Sequence, residues 1–399
     1  MAQGFLQPYD RMEEIGNEYF NILVNNSFFQ DLVLDKEGKV ARCKMHDIVH
    51  ALAKALPLKL KKLRSLISDS LRIRIPKNLL TSANCLRVLI LVDAGLSELP
   101  NSIGCLKHLR YLDISENDIL KLPPTLGELY NLQTPRHLES CFRYLSTYTI
   151  LPKQLYKLVK LRHICINNEV YAVLHLPCNL VEMKIYYCYN LKELPASFVF
   201  PFLKILVFWG CNNLTYLPVF DSRNSLETLQ VGRCPLLEGI PNIEPLTNLC
   251  RLEIHNCMRM TNVPQGLASL CNLTELEIGP LCQDLDFFPF PEVTGSCAVA
   301  KSLQSLCFIG WPKVGNLPDE LQHFTQLQRL TISHFARVKF LPNWLGNLTC
   351  LRTIVLEGME NLIWLPSKNM MQKATKFVGF SIKPYQCPKL KEEWISGHN

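Results

Sequence analysis

LVEMKIYYC at residues 180–188, LKILVFWGC at 203–211, LETLQVGRC at 226–234 and LCRLEIHNC at 249–257 are four versions of one template, L-x-x-L-x-L-x-x-C, set 23 residues apart. Apolar residues at its fourth and sixth positions alternate with variable ones, the period of a short strand with one buried face. The same triad continues toward the N-terminus as Leu161/Ile164/Ile166, Leu109/Leu112/Ile114 and Leu86/Leu89/Leu91. Toward the C-terminus it runs through Leu273/Leu276/Ile278, Leu303/Leu306/Phe308, Leu327/Leu330/Ile332 and Leu351/Ile354/Leu356.

A unit this short cannot bury its own apolar side; stacking on its neighbours does so. The expected fold is an α/β leucine-rich-repeat solenoid with parallel strands on the concave face. Return segments carry a second signal, an apolar residue followed by Pro, as in Leu99-Pro100, Leu122-Pro123, Leu151-Pro152, Leu217-Pro218, Ile240-Pro241, Leu317-Pro318 and Leu341-Pro342. Proline lacks the N–H that a helix interior needs, so the outer face is expected to be short, irregular or 3₁₀.

Composition agrees with a globular chain: 399 residues, 48% hydrophobic, 19% charged, formal charge +7. The densest basic run, Lys59 to Arg64, has four basic residues in six and reads as a solvated linker rather than a nucleic-acid patch. Of 17 cysteines, Cys188, Cys211, Cys234 and Cys257 keep the repeat spacing. They read as structural thiols in a column where such repeats place a buried Asn or Cys that donates to the neighbouring turn, with Asn117 in the same place earlier. Four N-x-[ST] sequons, at Asn25, Asn213, Asn272 and Asn347, are expected to be silent, the last three being a by-product of a recurring Asn-Leu-Thr. Neither a leader pattern at the N-terminus nor an 18-residue apolar run occurs, so a reducing, cytoplasmic setting is expected, with nuclear or membrane-peripheral sites as alternatives.

Four regions are expected: 1–58, a winged-helix remnant; 59–85, a linker and N-terminal cap; 86–380, the repeats; and 381–399, a C-terminal cap. In the first, helical spacing over Arg11–Asn25 precedes a strand around Phe28–Leu34, a turn at Asp35–Gly38, a strand from Val40 to Cys43 and a second helix over His46–Leu56. The spacing stretches to 29 residues between Leu132 and Leu161 and to 30 between Leu273 and Leu303, the second stretch carrying an acidic, Phe-rich loop at 284–290. Long return loops of this kind are candidate partner sites.

Lys44-Met45-His46-Asp47-Ile48-Val49-His50, with Glu14-Ile15-Gly16-Asn17-Glu18-Tyr19-Phe20 and Ser27-Phe28-Phe29-Gln30-Asp31 upstream, resembles plant nucleotide-binding leucine-rich-repeat disease resistance proteins of the coiled-coil class. The resemblance implies that His46, flanked by Asp47, approaches the β-phosphate of ADP in an ADP/ATP switch. It also implies that the chain corresponds to the C-terminal portion of such a receptor, with Met1 an internal methionine. No G-x-x-x-x-G-K-[ST] loop occurs in the 399 residues, so no cofactor is expected for this chain alone.

Other chemistries are weaker. Cys43, His46 and His50 have zinc-like spacing but no fourth ligand. Eight acidic against six basic residues in the first 58 disfavour DNA binding. No catalytic constellation stands out, and no enzymatic activity is expected. Recognition is assigned to residues beside the strand leucines, with Tyr186, Trp209, Arg251 and Arg329 as candidate partner-binding residues because aromatic and Arg anchors dominate interfaces; Ile205, Val207 and Trp209 are expected to form an exposed run. The expected function is immune sensing of a pathogen effector or a guarded host protein. Two alternatives are a stand-alone repeat adaptor or decoy without a nucleotide step, and a secreted inhibitor.

Overall fold

The computed structural model describes residues 29–34, 40–45, 62–69, 77–133, 152–167, 176–194, 200–220, 225–287, 293–365 and 381–390, except 93, 115, 116, 118, 120, 283, 286 and 312. The chain divides into two compact units, residues 1–183 and 184–399.

In the first unit, β1 (Phe29–Leu34) and β2 (Val40–Met45) form an antiparallel pair, with Phe29 opposite Met45 and Leu34 opposite Val40. This is the hairpin expected from sequence; both flanking helices, and with them His46 and Asp47, lie outside the described residues. Three further strands, β3 (Ser65–Asp69), β4 (Val88–Val92) and β5 (Tyr111–Asp113), form a parallel sheet in which Leu66, Leu89 and Leu112 share one row. Residues 59–85, expected as linker and cap, thus supply a strand in repeat register as well as the short helix α1 (Lys77–Ser82). The unit also holds β6 (His163–Asn167).

The apolar-Pro signal explains the opposite side of these repeats. Five-residue 3₁₀ turns at Asn101–Cys105, Pro124–Glu128 and Lys153–Lys157 follow Pro100, Pro123 and Pro152, each Pro being extended at φ between −70° and −73°. Proline fixes the entry angle and its missing N–H is not needed at the first turn. The turns pack so closely that a Cβ on Gly127 would lie 2.6 Å from the Gln154 Cβ and carbonyl oxygen, so only glycine fits there.

In the second unit the strands follow one another in sheet order: β7 (Glu182–Tyr186), β8 (Ile205–Trp209), β9 (Thr228–Gly232), β10 (Arg251–His255), β11 (Glu275–Ile278), β12 (Ser305–Ile309), β13 (Arg329–Ser333), β14 (Thr353–Glu357) and β15 (Ser381–Tyr385). Register does not slip: Leu206, Leu229, Leu252, Leu276, Leu306, Leu330 and Ile354 form one row, each no more than 2% exposed. A side chain period of two then puts the residues beside them on the opposite, solvent side. The only α-helix described in this unit, α2 (Ala298–Ser302), occupies the long return before β12. The last strand, β15, lies in the segment expected as the C-terminal cap and pairs in register with β14.

Most of these strands end in the same way. The residue after the strand takes positive φ at Tyr187, Gly210, Arg233, Asn256, His334, Gly358 and Gln386, between 50° and 69°. At Tyr187, Gly210, Arg233, His334 and Gly358 the N–H donates to the last residue of the next strand, as from Tyr187 to the Trp209 carbonyl (2.7 Å), Gly210 to Gly232 (2.8 Å) and His334 to Glu357 (2.7 Å). One residue further comes the buried column. Asn117, in the first unit, donates through Nδ2 to the Leu91 and Ile114 carbonyls (2.6 and 2.9 Å) and accepts from the Leu96 N–H (2.9 Å). Cys211 and Cys257 Sγ reach the Ile185 and Val231 carbonyls at 3.7 and 3.9 Å, the same step back along the chain. After Cys257 the column changes chemistry, to Leu281 and, past the 30-residue interval, to Trp311, Phe335 and Met359, all fully buried, with the Trp311 and Phe335 rings 5.9 Å apart.

Two of the Asn-Leu-Thr asparagines tie neighbouring repeats together: Asn213 Nδ2 donates to the Tyr189 carbonyl (2.5 Å) and Asn272 Nδ2 to the Thr247 carbonyl (2.8 Å).

Candidate protein-recognition surface

The solvent side of the second unit's sheet has three columns, one for each strand position not pointing into the core. The first column, at the strand starts, carries Ile205, Thr228, Arg251, Glu275, Ser305, Arg329 and Thr353; the third, at the strand ends, carries Tyr186, Trp209, Gly232 and His255. Tyr186 and Trp209 are therefore neighbours in the third column, while Arg251 and Arg329 stand in the first. All four share one face without forming a single pocket.

Trp209 is half-buried and its seat is specific. A Cβ on Gly232 would meet the indole at 2.3 Å, so the ring lies across the bare backbone of the next strand. From there it approaches the His255 ring, with centroids 5.9 Å apart and planes at 59°, and takes the Arg233 guanidinium at 5.6 Å from its centroid. An Arg over an indole contributes about 0.5–1 kcal/mol at such a partly exposed site. Tyr186 lies beside Tyr187, and Tyr187 beside Tyr189, with centroids 6.4 and 6.3 Å apart. The expected exposed run over Ile205, Val207 and Trp209 is corrected: Val207 is only 2% exposed beside Gln230 of the next strand, and Ile205 and Trp209 are half-buried.

Arg251 is committed within the face. It pairs with Glu253 through Nε and with Glu275 through Nη1 at 2.8 Å, and His255 stands 3.6 Å from both Glu253 and Glu277 carboxylates. Burial disfavours the Glu253 carboxylate, yet the contacts with His255 and Arg251 outweigh it and hold its pKa below the ordinary value. On β12, burial and then the Glu277 carboxylate push the Cys307 thiol up to about 12. Arg329 differs: it is exposed and, among the described residues, has no ion pair. It lines a polar groove of about 320 Å³ together with Arg352, a residue the sequence reading passed over because it sits just outside the strand.

The second candidate surface, the loop at 284–290, is described only in part. Asp284 pairs with Lys313 Nζ at 2.7 Å, which lowers its pKa, and Phe287 is 58% exposed. Among the described residues no cluster of His, Cys, Asp or Glu could hold a metal ion, and no helix is long and apolar enough to cross a membrane.

Comparison with known proteins agrees with this architecture. Residues 1–53 match the family model for the winged helix domain of disease resistance proteins. RGA1 of Solanum bulbocastanum, named for disease resistance, is 38% identical over 133 residues, covering 29% of this chain and 13% of that protein. Disease resistance protein RPP4 of Arabidopsis thaliana is 27% identical over 206 residues, 49% of this chain and 16% of that protein. TMV resistance protein N of Nicotiana glutinosa is 28% identical over 186 residues, 44% and 15% respectively. The matched part thus spans less than a fifth of these relatives. Among solved structures, the Leptospira interrogans LRR protein LIC12759 superposes with a TM-score of 0.54 at 20% identity, over 85% of this chain and 82% of that one, a likeness of fold.

Proposed function

We propose, from the premise that this chain is a leucine-rich-repeat relative of the plant disease resistance proteins, that it is an immune receptor whose strand face captures a protein. The partner would be a pathogen effector or a host protein guarded against one, and the work is binding inside the cell rather than catalysis. The carrying observation is that Tyr186, Trp209, Arg251 and Arg329 stand on the solvent side of strands locked in register, where no core role claims them. Such a face is preorganised: its anchors lose little freedom on binding because the frame already fixes their backbones.

Coupling to nucleotide belongs to the same proposal. With ADP held in an adjoining nucleotide-binding domain, His46, flanked by Asp47, would approach its β-phosphate, an imidazole N–H being a suitable donor to a phosphate oxygen. Capture on the repeats would then favour the released state of the switch by as much as the partner's affinity differs between the two states.

Pull-down with the tagged chain from infected plant extract, followed by titration of the captured protein, tests the surface. The Tyr186→Ala, Trp209→Ala double variant is expected to lose at least about tenfold in affinity, the usual scale for two aromatic anchors, while still unfolding cooperatively at a modestly lowered melting temperature. Undiminished affinity in that variant would overturn the assignment. Capture that ignores both ADP and His46→Ala would instead favour the adaptor or decoy reading.

A further inference from the structure

Arg329 opens β13, and Arg352 immediately precedes β14, whose first residue Thr353 is the register partner of Arg329. Both guanidinium groups are exposed, and neither has a side-chain hydrogen bond or ion pair among the described residues, whereas Arg251 on the same face has two carboxylates. The groove they line also takes in Glu275, Ser305 and Thr353. Glu275 shares Arg251 with Glu253, its own contact being 2.8 Å, so part of its negative charge stays beside the two arginines. The hydroxyls of Ser305 and Thr353 are likewise without a protein partner among the described residues. Backbone donors at this edge are already used: the N–H groups of Ser305, Arg329 and Thr353 bond the carbonyls of Thr274, Gln304 and Gln328 at 2.9, 3.0 and 3.1 Å.

What remains for a ligand is therefore two guanidinium forks, two hydroxyls and the Gln304 and Gln328 amides beside one partly compensated acid, which leaves the groove an excess of positive charge. Such a set matches planar, charged acceptors, because a guanidinium can give a carboxylate two parallel hydrogen bonds. Neighbouring strands lie about 4.8 Å apart and Arg352 is offset by one residue, so the two arginines can meet carboxylates two residues apart on one face of an extended peptide, about 6.8 Å from each other.

We propose that the groove across the starts of β11 to β14 receives an acidic stretch of the partner protein, its carboxylates paired with Arg329 and Arg352. This rests on the strand face being the recognition surface and adds the chemistry of what is recognised there. The face then has two unlike subsites, an aromatic one at the strand ends around Trp209 and a cationic one at the strand starts.

Fluorescence anisotropy with the full chain tests it, using a labelled peptide of alternating Glu and Ser, its Gln-for-Glu and Lys-for-Glu counterparts, and inorganic phosphate as competitor. The Glu peptide is expected to bind and the Gln peptide not. Arg329→Gln and Arg352→Gln should each weaken the Glu peptide about tenfold, the scale of a charge-assisted hydrogen bond. Arg329→Lys should keep part of the affinity, and Arg329→Glu with Arg352→Glu should move the preference to the Lys peptide. Equal binding of the Glu and Gln peptides, or affinity unchanged by the Arg substitutions, would overturn the proposal. So would displacement by phosphate as readily as by unlabelled Glu peptide, which would mark a small-anion site. The Tyr186→Ala, Trp209→Ala variant should bind the Glu peptide as the native chain does, so failure of the aromatic surface and failure of this groove are read separately.

Discussion

Asn117 and Cys257 fill one position of the repeat by different means. The amide gives two donors and one acceptor, and all three are used within 2.9 Å. The thiol gives weak, long contacts, at 3.3 Å to the His255 carbonyl and 3.9 Å to that of Val231. Replacing Asn117 with Ala would leave buried backbone groups unmet, and a loss of about 1–3 kcal/mol in denaturant unfolding is expected. Burial pushes Cys257 up to about 11, and Cys307 stands at about 12, while an unfolded thiol titrates near 8.5. A raised acid pKa means the folded state keeps a proton that the unfolded chain gives up. The contribution of these thiols is thus full below about pH 8.5 and falls as pH climbs toward 11 or 12. Stability measured across that range should fall less steeply in a Cys257→Ala, Cys307→Ala variant than in the native chain. The spacing made the Cys column legible as far as Cys257. Its continuation as Leu281, Trp311, Phe335 and Met359 is hidden because the residue type changes at the next repeat and the interval then stretches, so that only the strand register counts across it.

Among elements, the strands were readable because their leucines alternate, and the turns because proline precedes them. β3 and β15 were missed as strands for the converse reason. In register with the Leu89/Leu91 pair stand Leu66 and Ser68, and with Ile354/Leu356 stand Ile382 and Pro384, so each carries only half of the apolar signature. Neighbouring strands supply the hydrogen-bonding template that composition does not announce. The 3₁₀ turns impose a requirement of their own. At Gly127 an added methyl would meet both the side chain and the backbone of Gln154, and backbone cannot swing away as a side chain tip can. Gly127→Ala is expected to cost about 1–3 kcal/mol, read as a lowered melting temperature, because the turn stack must open to admit it. The candidate face was legible as a set of positions, but its pairing was not. That Arg251 is engaged while Arg329 is unpaired depends on Glu275 being its register neighbour, a fact that exists only once strands are laid side by side.

Across the second unit, each strand touches mainly the one before and the one after, so stability is expected to be nearly a sum over neighbours. Hydrogen exchange should show this as a gradient, with β9 to β13 exchanging slowest and β15, whose Ile382 is only half-buried, opening first. Uniform protection along the unit would argue for one indivisible cooperative block instead. The left-handed exit after so many strands carries a further consequence. Tyr187, Arg233, Asn256, His334 and Gln386 all adopt it, so the turn accepts dissimilar residues; at Tyr187, Arg233 and His334 the bond to the next strand helps impose its shape, and a buried or half-buried residue follows each. What the frame demands is thus concentrated in the leucine rows, the buried column and a few glycines. The outward columns are left nearly exempt, holding Thr228, Gln230, Ser305, Thr331 and Thr353 at intermediate exposure. Substitution in those columns therefore costs the frame little, so the chemistry of the face can be changed one residue at a time while the fold is kept.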